Sequence, residues 1–123
     1  MAQFKVKKLN SIVIHVTNLD ASYHFYKHVL GFSEEIRDAG MVWFSIGEEE
    51  KTTILLHSSD KTEPVDYGIS FDILVDDVDL LIETVKQAGT TILQEPINRE
   101  WGVREAIIAD PDGYKLWFIQ TIQ

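Results

Sequence analysis

Ser11–Phe32 reads SIVIHVTNLDASYHFYKHVLGF, and Ser70–Thr90 reads SFDILVDDVDLLIETVKQAGT. Each stretch carries an alternating apolar strand, a polar cap, an amphipathic helix and a glycine. Val16 matches Val75, Asn18 matches Asp77, Leu19 matches Val78 and Asp20 matches Asp79. The helices end at Gly31 and Gly89, one residue out of step. An internal repeat of this length sets the architecture before any residue is assigned a task.

Working outward, Ser11–Thr17 alternates and is rich in β-branched residues, which predicts a strand. Asn18 is the N-cap, with Asp20 as the alternative register, and the helix runs to about Leu30. Leu19, Ser22, Phe25 or Tyr26, and Val29 share its buried face. Three strands follow at Phe32–Asp38, Met41–Ile46 and Thr52–His57. The second half repeats the order: a strand over Ser70–Val75, a helix over Val78–Ala88, and strands at Thr91–Leu93, Val103–Ala109 and Tyr114–Thr121. The tetrapeptide DPDG, Asp110–Gly113, is a turn. The fold expected is α+β, a single domain over residues 1–123. It holds two βαβββ modules, at about 8–57 and 69–121, joined by a polar linker over 58–68.

Alternation assigns the faces. Ile12, Ile14 and Val16 pack on the first helix, and Phe71, Ile73 and Val75 on the second. Ser11, Val13, His15, Ser70, Asp72 and Leu74 then face the opposite, concave side. Gly47–Leu55 and Ala109–Trp117 span equal lengths, which matches Trp43 with Glu105, Ser45 with Ile107 and Leu55 with Trp117. Phe44, Ile46, Ala106 and Ile108 become core. Trp43, Ser45, Glu105, Ile107 and, two residues past Leu55, His57 become concave.

The chain has 123 residues and a formal net charge of −9. That balance weighs against nucleic acid, whose binders need basic patches, and against an anionic membrane surface. No cysteine is present, which removes disulfides and thiolate metal sites. The opening MAQFKVKKLN has no apolar run of signal-peptide or membrane-helix length, so a cytoplasmic location is the default expectation. No phosphate-binding loop, dinucleotide fingerprint or nucleophile elbow occurs.

VTNLDASYHFYKHVLGF, the paired modules and WGVREAIIADPDGYKLWF together resemble the vicinal oxygen chelate superfamily, which includes glyoxalase I, extradiol dioxygenases, fosfomycin-resistance enzymes and bleomycin-resistance proteins. The resemblance covers nearly the whole chain, and its last segment resembles the bleomycin-resistance branch more than glyoxalase. In the enzymes of that superfamily a divalent metal sits on the concave face, held by His, Glu or Gln on the first, fourth, fifth and eighth strands. Here those positions are Ser11, Leu55, Ser70 and Trp117. Two hydroxyls, an alkyl chain and an indole do not replace imidazole and carboxylate as transition-metal ligands.

The resemblance therefore implies a binder with neither metal nor other cofactor. It would sequester an amphipathic or planar small molecule in a concave aromatic groove, as a homodimer in which a module of one chain completes the half-barrel of the other. The candidate ligand-binding residues are His15, Trp43, His57, Asp72, Trp101, Arg104, Glu105 and Trp117. The tryptophans would stack on a planar ligand. Arg104 and Glu105, beside Trp101, would stand at the entrance, with Arg104 free for a carboxylate or phosphate or else tied in a surface ion pair. A displaced metal site of His15, His57 and Asp72 is the alternative chemistry, but the expected pairing sets His57 beside Val13 rather than His15. His24 and His28, four apart on the first helix, have no acidic third ligand nearby in sequence. The alternative function is a glyoxalase-like lyase or isomerase, or a dioxygenase-like enzyme, with a non-standard metal site or acid–base chemistry from His15, Asp72 or Glu105. A non-catalytic partner subunit is a third class.

Overall fold

The computed structural model describes residues 3–65 and 68–122; Asp66 and Tyr67 of the expected linker lie outside the described residues. The strands are β1 (Ile12–Val16), β2 (Ser33–Asp38), β3 (Met41–Ile46), β4 (Thr52–Ser58), β5 (Asp72–Leu74), β6 (Thr91–Arg99), β7 (Val103–Ala109) and β8 (Lys115–Thr121). They form two four-stranded sheets of matching order, β1-β4-β3-β2 and β5-β8-β7-β6. Each sheet has one parallel pair, β1 with β4 and β5 with β8, and is otherwise antiparallel. The parallel pair follows from chain order, because the helix after the first strand of each module carries the chain back before the hairpins begin.

Helix α1 covers Leu19–Tyr23 and α2 covers Val78–Gln87. Both start as the repeat predicts. Asn18 accepts from the Ala21 N–H at 3.1 Å and Asp77 from the Leu80 N–H at 3.0 Å. Asn18, rather than Asp20, is therefore the cap, with extended backbone that frees its side chain to reach the first turn. The helices then diverge. After Tyr23 the chain continues as a π-helical turn, His24–Val29, where the Leu30 N–H bonds the Phe25 carbonyl five residues back at 2.9 Å. The extra residue per turn widens the buried stripe. Phe25 and Tyr26, offered as alternatives by ordinary helical spacing, are both buried, as is Ser22.

The alternation correctly assigns the sheet faces. Ile14, Val16, Val42, Phe44, Ile54 and Leu56 are buried on the helix side of the first sheet, and Ala106, Ile108, Leu116 and Phe118 on that of the second. All belong to one continuous core that also holds Phe25, Tyr26, Val78, Ile82 and Val85. Fully burying one such large side chain is worth about 1.5–3 kcal/mol. The helix-side faces of the two modules thus meet each other, and the opposite faces are left outside that shared core.

Polar bonds lock the joint. The Tyr26 hydroxyl donates to Asp110 Oδ2 at 2.6 Å. The other Asp110 oxygen accepts from the backbone N–H groups of Asp112 at 3.0 Å and Tyr114 at 2.8 Å, which shapes the DPDG turn. Burial pushes the Asp110 carboxyl above the usual carboxylate range against the pull of these bonds, and burial together with the Asp110 charge pushes the Tyr26 hydroxyl well up. Thr17 Oγ1 donates to Asp112 Oδ1 at 2.5 Å, and the Tyr114 hydroxyl donates to the His15 carbonyl at 2.8 Å.

Two expectations on register need correction. His57 pairs with His15, and Leu55 with Val13, along β1–β4. Trp43 stands opposite Leu55 while Ile107 stands opposite Trp117. With Leu55 matched to Trp117, the counterpart of Trp43 is Ile107 and not Glu105. Equal residue spans hid this, because the two hairpins close their ladders at different points. A shift of two residues preserves the face, so the inside and outside assignments survive. Strand β6 also runs six residues beyond the expected end at Leu93. Its Pro96 is tolerated because β6 is an edge strand, and the ladder slips twice along it, between Ile92 and Gln94 and between Gln94 and Ile97.

Candidate functional site on the outer faces

On the first sheet the outer face carries Val13 and His15 from β1, Leu55 and His57 from β4, and Trp43 and Ser45 from β3. The His15 and His57 rings lie 5.2 Å apart, tilted by 50°. His57 Nδ1 is 2.9 Å from the Ser58 carbonyl oxygen. A carbonyl only accepts, so Nδ1 carries the proton and Nε2 is the free nitrogen of the neutral ring. Ser45 is buried and donates to Glu35 Oε1 at 2.7 Å. The irregularity between Glu34 and Ile36 turns Glu35 toward that face, while Glu34 bonds Tyr23 and Lys27 on the helix side.

On the second sheet Asp72 pairs with Trp117, and Ile107 lies beyond Trp117 on the next strand. Glu105 is only 7% exposed, and it accepts from Arg99 Nε at 2.7 Å. Arg99 Nη2 also donates to Gln94 Oε1 at 3.1 Å. The carboxylate is satisfied by a fixed cation, so it is held as an orienting ion pair rather than as an open acid or base. Trp101 is in the β6–β7 turn, 69% exposed, with the Arg99 guanidinium 5.6 Å from its ring centre.

Of the expected site residues, His15, Trp43 and His57 gather on one outer face, and Asp72, Glu105 and Trp117 on the other. Trp101 stands at the rim. Arg104 does not join them: it lies on the helix side of β7, where Nε and Nη2 grip Asp79 of α2 at 2.8 and 3.0 Å and Nη1 donates to Asn98 at 2.9 Å. Alternation already puts it opposite Glu105. That ion pair holds the Asp79 carboxyl below its ordinary range and raises Arg104. Glu35, Gln94 and Arg99 join the outer faces without having been expected there from sequence. Extending the β6 alternation through Pro96 would have found Arg99, the partner of outer-facing Val103.

The superfamily's metal position does not fit these residues. Ser11, Leu55, Ser70 and Trp117 offer two hydroxyls, an alkyl chain and an indole, with no imidazole or carboxylate among them. Among the described residues no group of three or more His, Asp or Glu side chains is placed to hold a metal ion.

A cleft of about 720 Å³ lies at the free edge of β1 under the linker, where Val13, His15, Lys61, Val65, Phe71 and Tyr114 are among its walls. That volume suits a small molecule. A second cavity of about 290 Å³ is lined by helix-side residues of both modules, including Ile14, Tyr26, Phe71 and Leu116. Neither is lined by Trp43, Glu105 or Trp117. No helix among the described residues is long and apolar enough to cross a membrane.

A sequence profile of the Glyoxalase/Bleomycin resistance protein/Dioxygenase superfamily matches residues 8–118, and the chain belongs to that superfamily. It is 32% identical to a lactoylglutathione lyase of Neisseria meningitidis serogroup A, over 92% of this chain and 90% of that protein. It is 28% identical to a probable lactoylglutathione lyase of Synechocystis, over 89% and 92%. Among solved structures, a hypothetical protein from S. aureus superposes with a TM-score of 0.77 at 30% identity, covering 96% of each chain. A genomically encoded fosfomycin resistance protein from Listeria monocytogenes shares the fold, with a TM-score of 0.79 at 18% identity over 94% of each chain.

Proposed function

We propose that the chain is a small-molecule-binding member of its superfamily that works without a metal at the inherited centre. It holds an amphipathic or planar compound against the aromatic outer faces, with Trp43 and Trp117 as stacking surfaces and the Arg99–Glu105 pair orienting polar groups. The observation that carries this reading is the donor set: Ser11, Leu55, Ser70 and Trp117 replace all four ligands together. Outer faces left outside the shared core support a homodimer in which each face is closed by the partner's module. Dilution light scattering checks that assembly; a monomer mass throughout contradicts it.

Fluorescence titration tests the binding, with metal-free bleomycin as the first probe because the closing segment of the chain is similar to that branch. Binding should quench tryptophan emission, persist in chelator, and weaken by about 1–3 kcal/mol in Trp117→Ala. Loss of binding in chelator, or purification with one equivalent of tightly held metal, overturns the reading.

A second reading is a glyoxalase-like lyase, favoured by relatives named lactoylglutathione lyase at up to 32% identity. It requires lactoylglutathione turnover from residues other than the inherited ligand set. Steady activity that survives chelation and fails in His15→Ala or Asp72→Asn would establish it over simple binding.

A further inference from the structure

We infer that His15 and His57 form an open, two-imidazole site for a late first-row divalent cation, separate from the superfamily's metal position. The pairing expected from sequence, His57 beside Val13, disfavours such a site. The ladder places His57 beside His15 instead, on the same face of adjacent parallel strands. Neighbouring strands are about 4.8 Å apart, which brings paired side chains within chelating reach.

The ring geometry matches chelation. Metal–imidazole bonds of about 2.0–2.1 Å put each ring centre about 3.2 Å from a bound ion, so a tetrahedral angle sets the two centres about 5 Å apart. The observed separation is 5.2 Å. His57 also has the outer support that ligating histidines show. Its Nδ1–H is held by the Ser58 carbonyl at 2.9 Å, which fixes the tautomer and leaves Nε2 to bind. On β1 the His15 carbonyl accepts from the Tyr114 hydroxyl at 2.8 Å, which steadies the backbone on that side. The net charge of −9 favours cations generally.

Two protein ligands leave two positions for water or for an oxygen of a bound compound. The cation is therefore held exchangeably and is lost on dialysis, unlike a closed structural ion. Imidazole selects nickel, copper or zinc over magnesium.

The chain supplies its own control. His24 and His28 are the other two histidines, and their rings lie 5.5 Å apart on the π-helical turn. Both are exposed, and among the described residues no hydrogen bond orients either ring. Zinc and nickel are titrated separately into dialysed protein by calorimetry, with histidine ring signals followed by NMR. One equivalent of each should bind, the ring signals of His15 and His57 should move, and magnesium should do nothing. His15→Gln and His57→Gln should each weaken binding on the order of tenfold or more, a factor of ten being 1.4 kcal/mol. The His24→Gln/His28→Gln double variant should leave the affinity within about twofold. Circular dichroism of each variant confirms its fold, and His57→Ala is the substitute should His57→Gln fold poorly. Absence of saturable binding at millimolar metal overturns the proposal, as does binding lost with His24 and His28 but kept without His15 and His57.

Discussion

The two modules share order and sheet topology and differ on their outer faces. The first presents a pair of imidazoles, Trp43 and a serine bonded to Glu35. The second presents Trp117, Asp72 and a nearly closed Arg99–Glu105–Gln94 network. The difference teaches where the repeat constrains sequence. Helix-side positions must fill one common core, so their apolar pattern persists in both copies. Outer positions have no such duty within the chain, and there the copies have diverged.

The largest effect tests that division directly. Phe118 is 1% exposed on the helix side, and its neighbour Trp117 is half-buried on the outer face. Phe118→Ala should cost roughly 3–5 kcal/mol in denaturant unfolding, as a core truncation. Trp117→Ala should cost far less, and the same contrast should hold between Phe44→Ala and Trp43→Ala. Equal losses at Trp117 and Phe118 would mean that the second outer face is itself core, and the comparison between faces fails.

Next is the bond that joins the modules. Tyr26→Phe removes the donor to Asp110 while keeping the ring in place, and should cost about 1.5–3 kcal/mol, the range for hydrogen bonds to charged groups. A loss much below that range would show that the shared core alone fixes the two halves.

The third effect sharpens the contrast between outer faces. Glu105→Gln leaves the Arg99 guanidinium without its counter-charge. The Arg99 side chain is 33% exposed, so water recovers part of the loss, and about 1–2 kcal/mol is expected. Ser45→Ala also removes a bond to a carboxylate, but Glu35 is exposed and water replaces the lost donor, so about 1 kcal/mol or less is expected. Chemical denaturation of both variants checks the order; a larger loss at Ser45 would reverse it.

Most of the fold was legible because its signals are local. Alternation, caps at Asn18 and Asp77 and the DPDG turn each depend on a few neighbouring residues. Register was less legible, since it is set by where two ladders close rather than by residue counts, and this misplaced the partners of Trp43 and His57. The π-helical turn left no mark beyond the ambiguity between Phe25 and Tyr26, which it resolves by burying both. The site was legible by face but not by bonding. Trp43, Trp117 and Glu105 are on the outer side as alternation says, yet Arg99 lay behind Pro96 in a strand expected to stop at Leu93. Arg104 was grouped with its neighbours in sequence, although alternation turns it to the opposite face.

The smallest effect compares matched aspartates at the two helix starts. Asp20 meets Arg37 through one contact of 3.4 Å, whereas Asp79 is gripped by Arg104 through two bonds of 2.8 and 3.0 Å. Arg104 lowers the Asp79 carboxyl below its ordinary value of 3.8. A depressed acid favours the native state wherever the carboxylate is charged in both states, so this contribution is fully present above about pH 4 and disappears as pH falls through the folded value. Asp79 is exposed and Arg104 half-buried, so salt screens the pair in part. Thermal melts should therefore show Asp79→Asn melting slightly below the parent at neutral pH and low ionic strength. The gap should narrow as the pH drops below 3.8, and also as salt is added. A gap that stays constant from neutral pH to below 3 would assign the role of Asp79 to packing at the start of α2, and the bidentate grip would then be a consequence of the fold rather than a support for it.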